Sequence, residues 1–189
     1  MAIRIPISGS ADNDTFDFHL NEDDAYDIKG LGGDDTLTGG QLGDIISGGG
    51  GNDLMKGEGG NDKMLGGGGD DVMFGGDGKD VMNGGSGIDY INGNAGNATL
   101  TGGGGADDFQ VDKGAGRVVI TDFTDDIDTL LIDSDFFPGK SVEQILTKFG
   151  SSSGGDSAID LSRVGDDAPR IILLGVDNIF DLKDDIILV

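Results

Sequence analysis

Apolar positions in this chain recur with a period of nine. Nine consecutive nine-residue units run without a gap from Gly30 to Gln110, and eight of them carry Asp at the sixth place and a large apolar residue at the eighth. The clearest copies are Gly48-Gly49-Gly50-Gly51-Asn52-Asp53-Leu54-Met55-Lys56, Gly66-Gly67-Gly68-Gly69-Asp70-Asp71-Val72-Met73-Phe74 and Gly75-Gly76-Asp77-Gly78-Lys79-Asp80-Val81-Met82-Asn83. Glycine adopts positive φ without a Cβ clash, so the first six residues of each unit predict a sharp bend and the last three a short strand. Side chains alternate along a strand, which points the eighth position inward and the seventh and ninth outward. The inward column reads Leu37, Ile46, Met55, Met64, Met73, Met82, Ile91, Leu100 and Phe109, taking four of the chain's five Met. Thr36, Lys63, Tyr90, Thr38, Ser47, Lys56, Asn83 and Asn92 face outward, with some apolar residues among them.

These units match the nonapeptide G-G-x-G-x-D-x-U-x, and on them the chain resembles the RTX (repeats-in-toxin) family of secreted, hemolysin-type calcium-binding proteins. The resemblance implies an all-β fold, a calcium-stabilised parallel β-roll with two units per coil. It also implies calcium ions held between sixth-place Asp side chains and turn carbonyls of alternate units. The metal-site residues so implied are Asp35, Asp44, Asp53, Asp62, Asp71, Asp80, Asp89 and Asp107, with Gly48, Gly50, Gly57, Gly59, Gly66, Gly68, Gly75 and Asp77. One flank would carry Asp35, Asp53, Asp71, Asp89 and Asp107; the other would carry Asp44, Asp62, Asp80 and Ala98, giving six equipped sites and a seventh compromised at Ala98. Hard oxygen donors in a flexible cage suit Ca²⁺ better than Mg²⁺ or a transition metal. One inward side chain per nine residues cannot offset the entropy of ordering so glycine-rich a backbone. Ion binding is therefore expected to decide folding, with a calcium-free coil that folds when calcium is supplied.

Composition narrows the function classes. A net charge of −24 repels nucleic acid and anionic lipid, and the carboxylates are periodic rather than massed as in an acidic disordered tail. The absence of Cys excludes disulfides and thiolate chemistry and is compatible with secretion. No run approaches the length of a membrane span. Met1–Ser8 is interrupted by Pro6 before an apolar stretch forms, so no Sec-type leader is expected.

Three segments are predicted: an N-terminal arm or cap over 1–29, the roll over 30–110, and a C-terminal capping region over 111–189. The arm holds one degenerate copy, Gly9 to Asp17, displaced by a three-residue insertion; its Asp14 reads as part of a cap in preference to an extension of a calcium flank. Ile3 to Ile7 suits a short edge strand. Beyond Gln110 the pattern predicts strands at Arg117–Phe123 and Asp128–Ile132, and a helix over Val142–Phe149 opened by a Ser141/Gln144 capping box. It further predicts a flexible loop over Ser151–Asp156 and β segments at Arg170–Val176 and Asp185–Val189. Gly105-Ala106-Asp107-Asp108-Phe109, Ile120–Phe123 with Asp128, Ile172–Val176 and Asp184–Val189 make this half resemble the regions that follow the roll in serralysin-type proteases and related lipases and epimerases. That resemblance implies an uncleaved type I secretion signal, with the type I (ABC) secretion apparatus as a partner.

No catalytic residues are expected. His19 is the only histidine, so an H-E-x-x-H zinc site is absent, and it reads as a surface residue of the arm. Gly84-Gly85-Ser86-Gly87 is a repeat turn rather than a nucleophile elbow, and the G-x-G-x-x-G strings lack the long helix a dinucleotide site requires. Asn97-Ala98-Thr99 is a glycosylation sequon only formally. Carboxylates committed to calcium are not free for acid–base work, and a chain with no Trp and two Tyr offers little for a glycosidase groove. The preferred reading is a stand-alone secreted calcium-binding structural protein of a cell surface, matrix or assembly, motivated by a Met just ahead of the array with no room for a catalytic domain. The alternatives are a secretion and folding module of a larger epimerase, lyase, lipase or protease, and a calcium-dependent adhesin module. Self-association and a cell-surface polysaccharide are the remaining partners considered.

Overall fold

A computed structural model describes residues 4–19, 23–160 and 169–189, with Phe149 defined by its backbone alone. The predicted bend-and-strand unit is what the chain forms. Three-residue strands Thr36–Thr38, Leu54–Lys56, Val72–Phe74 and Tyr90–Asn92 stack on one side. On the other lie the longer strands Ile45–Gly50, Lys63–Gly68, Asp77–Ser86 and Gly96–Gly104. Turn residues at the second and fourth places sit in left-handed backbone, as at Gly49 (φ 120°) and Gly51 (φ 116°). A Cβ on Gly49 would lie 2.3 Å from the Leu31 carbonyl oxygen, so the close stacking of turns itself demands glycine.

Register partners are eighteen residues apart within the repeats, for example Leu37 with Met55 and Met64 with Met82. The result is an all-β parallel roll whose core is two files of one side chain per coil. Phe16, Leu37, Met55, Met73, Ile91, Phe109, Leu130 and Ile186 align in one sheet. Ile7, Ile28, Ile46, Met64, Met82, Leu100, Ile120 and Leu173 align in the other. All nine predicted inward residues are buried. The four Met occupy the middle of both files, where an unbranched, polarizable side chain adapts to an even stacking distance.

Both sheets continue past the periodic tract. Arg4–Ser8 forms an edge strand beside Ala25–Lys29, although Ile3 of the predicted strand lies outside the described residues. Past Gln110, Ala115–Ile120 and Arg170–Leu174 extend the long-strand sheet, while Thr129–Ile132 and Ile186–Leu188 extend the other. Helix Val142–Phe149 starts at Ser141 with the reciprocal capping box in place; its Ile145 and Leu146 pack with Phe136, Phe137, Ile179 and Leu182 in the core cluster.

One expectation fails. Ser151–Asp156 is not a flexible loop: Gly150–Ser153 and Asp156–Asp160 form an antiparallel hairpin. Gly154 (φ 67°) and Gly155 (φ 88°) supply the consecutive left-handed residues of a tight hairpin turn, and the Ser157 hydroxyl donates to the Val176 carbonyl (2.7 Å). Within the stretch itself the Ser152 hydroxyl pairs with Ser157 Oγ (2.8 Å) and accepts the Ile179 N–H (2.8 Å). Among the described residues no helix is long and apolar enough to cross a membrane.

Candidate metal centre

Sixth-place carboxylates form two columns, one along each edge of the roll. Within a column each Asp uses Oδ1 to accept the backbone N–H of the sixth-place residue one coil earlier. On the short-strand side the donors Asp35, Asp53, Asp71 and Asp89 meet Asp53, Asp71, Asp89 and Asp107 at 2.8, 2.8, 2.8 and 2.9 Å. On the other side Asp44 and Asp62 donate to Asp62 and Asp80 at 2.7 and 3.0 Å. All eight predicted Asp residues are at most 2% exposed.

The second carboxylate oxygen is what sets these residues apart. Oδ2 of Asp35, Asp53, Asp62, Asp71, Asp80 and Asp89 is buried with no hydrogen-bond partner. Each faces the first glycine of its own unit: a Cβ on Gly30 would lie 2.0 Å from Asp35 Oδ2 and 2.6 Å from the Gly48 carbonyl oxygen. Corresponding boxes pair Gly39 with Asp44 Oδ2 and Gly57 O, Gly48 with Asp53 Oδ2 and Gly66 O, and Gly57 with Asp62 Oδ2 and Gly75 O. The predicted first-place residues Gly48, Gly57, Gly66 and Gly75 therefore bring their carbonyls to a carboxylate.

Third-place residues are arranged differently. Nothing lies within 4 Å of a Cβ on Gly50, Gly59 faces Gln41, and the Gly68 carbonyl accepts the Gly51 N–H (2.8 Å). Asp77 is exposed and gives its N–H to the Glu58 carbonyl (2.8 Å). At Ala98 a methyl replaces the carboxylate; a Cβ on Gly93 would meet it at 2.5 Å and would face no carbonyl within 4 Å.

Electrostatics agree with the geometry. Burial, and then the neighbouring carboxylates Asp80 and Asp44, push Asp62 up to about 7 against the opposing pull of its backbone donor. Asp71 likewise rises to about 7, with burial first and Asp89, Asp53 and Asp70 adding to it. Asp107 rises to about 6 through burial, with Asp89, Asp128 and Asp122 contributing. Burial also raises Asp44, Asp53, Asp80 and Asp89. Buried carboxylate oxygens lacking donors, as at Oδ2, are costly, and a divalent cation beside them reverses that sign.

Residues 27–118 are matched by the RTX calcium-binding nonapeptide repeat (4 copies), in the overlapping stretches 27–55, 38–73, 56–91, 74–109 and 83–118. These residues belong to the RTX repeat family. No curated protein sequence matches it. Among solved structures it is similar to the extracellular lipase LipA from Serratia marcescens, at 17% identity and a TM-score of 0.41, covering 100% of this chain and 41% of the lipase. The chain thus spans about two fifths of that structure's length.

The RTX repeats make this a calcium-binding structural module, and the residues present fit the ion. Each box combines a buried anionic oxygen with a carbonyl oxygen, all hard donors and none of them nitrogen or sulfur.

Three elements of the RTX columns go beyond the preferred sequence reading, in which Asp14 is part of a cap rather than an extension of a flank. Asp14 belongs to the ladder, giving its N–H to Asp35 Oδ1 (2.7 Å), and a Cβ on Gly9 would meet Asp14 Oδ2 at 2.4 Å and Gly30 O at 2.6 Å. Asp128 continues the column at the far end by accepting the Asp107 N–H (3.0 Å), while Asp122 accepts the N–H groups of Gly102 and Gly103 (2.9 and 2.8 Å). A second ladder runs through the fifth places, where Asn13, Asp34, Asn52 and Asp70 accept the N–H of the next fifth-place residue at 2.7–2.9 Å. The recurrence of Asn or Asp at positions 34, 52, 61, 70 and 97 was its signal. His19 is exposed and pairs with Asp17.

Proposed function

We propose that this chain is a secreted calcium-binding structural protein that is unfolded where calcium is scarce and forms its roll on meeting extracellular calcium. The observation that carries this reading is the row of buried Asp Oδ2 atoms without donors, which leaves the apo fold poorly compensated. Asp35, Asp44, Asp53, Asp62, Asp71, Asp80, Asp89 and Asp107 are the carboxylate ligands in this reading; the carbonyls of Gly48, Gly57, Gly66 and Gly75 complete them, with Gly50, Gly59, Gly68 and Asp77 as the further turn ligands. Extracellular modules of this kind bind calcium at ~0.1–1 mM, so the ion's gradient across the cell envelope makes folding directional. Residues 1–29 act as an arm, 30–110 as the calcium roll, and 111–189 as a cap bearing a type I secretion signal. Export through the type I (ABC) apparatus delivers an unfolded chain to the calcium that folds it. Six divalent ions would halve the formal charge of −24, easing self-repulsion at the cell surface or in an assembly. Far-UV circular dichroism and light scattering across a calcium titration test the proposal. A gain of β signal with a fall in hydrodynamic radius is expected, and a chain equally compact in excess EGTA would refute it.

A further inference from the structure

The outer face of the short-strand sheet carries a cleft that the calcium columns do not use. Its turns come from the units whose second-place residues are Glu58, Gly76 and Asn94. All three have left-handed backbone, with φ of 72°, 101° and 53°. Glycine meets that requirement freely at Gly76, whereas a side chain there costs about 1–2 kcal/mol. The roll therefore gains nothing from Glu58, and strain of this kind concentrates at functional positions.

Glu58, Gly76 and Asn94 line a cleft of about 340 Å³ together with Lys56 and Phe74, within the size range of small-molecule sites. Lys56 and Phe74 are register partners on neighbouring strands, so the wall is held by the sheet rather than by a loop. The Phe74 ring packs against Tyr90, with centroids 5.9 Å apart and planes tilted by 56°.

Behind the cleft the polar groups are locked in place. Asp112 accepts from Asn92 Nδ2 (2.7 Å) and Gln110 Nε2 (2.8 Å), and Asn92 Oδ1 accepts the Asn94 N–H (2.8 Å). Asn92 and Gln110 are buried, which makes this a built polar layer rather than a chance surface grouping.

We propose that this cleft is a binding subsite for a neutral, pyranose-based glycan. A pyranose has an apolar C–H face and a rim of hydroxyls. The aromatic wall suits the first; the ammonium, carboxylate and amide of Lys56, Glu58 and Asn94 supply donors and acceptors for the second. Lys56 and Glu58 cancel in charge, and the chain around them is strongly acidic, so a polyuronate is repelled where an uncharged glycan is not. The proposal rests on the calcium-folded roll, because the cleft exists only when adjacent coils are stacked.

The test is isothermal titration of the full calcium-loaded chain with cellohexaose, maltohexaose and chitohexaose, and with hexaguluronate as the charged comparator. At least one neutral hexasaccharide should bind, and Phe74→Ala should weaken it on the order of tenfold or more. Glu58→Gly should also weaken binding while leaving thermal stability in calcium equal or higher, because the strained backbone is relieved. A folded chain that binds none of the three, binds hexaguluronate in preference, or binds unchanged after both substitutions would overturn the glycan subsite alone. A chain that stays unfolded in calcium by circular dichroism would overturn the folding proposal, and this one with it.

Discussion

The two edges of the roll differ in one respect. On the short-strand side the line is unbroken: it opens with the Asp14 N–H and runs through the carboxylates of Asp35, Asp53, Asp71, Asp89, Asp107 and Asp128, each holding the amide before it. On the other side the line runs Asp44, Asp62, Asp80 and stops at Ala98, where pairing with the next strand also shifts register. The apolar files make no such distinction, and both pass through the whole stack. Carboxylate ladder and oily core are thus separable. Beyond Ala98 one sheet continues on the core file and on the Asn97 side chain, which accepts the Arg117 N–H (2.8 Å).

That separation can be probed by mutation, and the core should show the largest effects. Met73→Ala and Met82→Ala remove fully buried side chains from opposite files and should each cost about 2–5 kcal/mol in urea unfolding with calcium present. Similar losses are expected, because the files are equivalent; a twofold disparity would tie the core to the carboxylate asymmetry after all.

Loss of a ladder residue should discriminate between the edges. Asp71→Ala removes a ligand from two equipped sites and the acceptor of the Asp53 N–H, about 2 kcal/mol for the hydrogen bond alone. Asp80→Ala, next to the gap, removes a ligand from one equipped site. The calcium concentration at half-folding should rise most for Asp71→Ala, less for Asp80→Ala and not at all for the exposed Asp12→Ala; equal shifts would cancel the assigned register.

Proton competition gives the next effect. Asp62 and Asp71 titrate near 7 in the folded calcium-free roll against an ordinary 3.8, so the folded state holds protons the unfolded chain has released. Stability from this source is fully present below about pH 4 and is lost as pH rises through about 7. Without calcium the chain should be more ordered near the acid end of that window than above it, and the calcium requirement should grow on acidification because ion and proton compete. A calcium midpoint independent of pH would contradict the buried carboxylates' role.

The smallest change is a gain. Ala98→Asp gives the Asp80 N–H a carboxylate and should add about 1 kcal/mol. Equilibrium dialysis should detect no additional ion, since Gly93 faces no carbonyl from the next coil. An extra bound calcium would mean that carboxylate continuity alone sets occupancy.

Periodic parts of the molecule were readable because one residue type sits at one place in every unit. The nine inward residues, the eight column Asp and the Ser141 capping box are all where pattern and local chemistry put them. Asp14 and Asp128 were harder to place, as each lies twenty-one residues from its ladder neighbour instead of eighteen. A turn that absorbs three extra residues hides the register from a fixed period while leaving the coil geometry intact. The fifth-place ladder was overlooked because Asn and Asp in turns have a sufficient local explanation, whereas here they bond across coils.

Every sixth-place carboxylate reaches back toward the N-terminus, while the fifth-place side chains reach forward, so the stack has two opposed grains. Stripping coils from the front leaves each surviving sixth-place amide still gripped by the carboxylate behind it. Stripping them from the rear exposes a fresh ungripped sixth-place amide at every step, beginning with that of Asp107. The sixth-place bonds are buried and the fifth-place ones exposed, so shortened chains of equal length should not be equivalent, and the rear of the stack is the costlier end to lose.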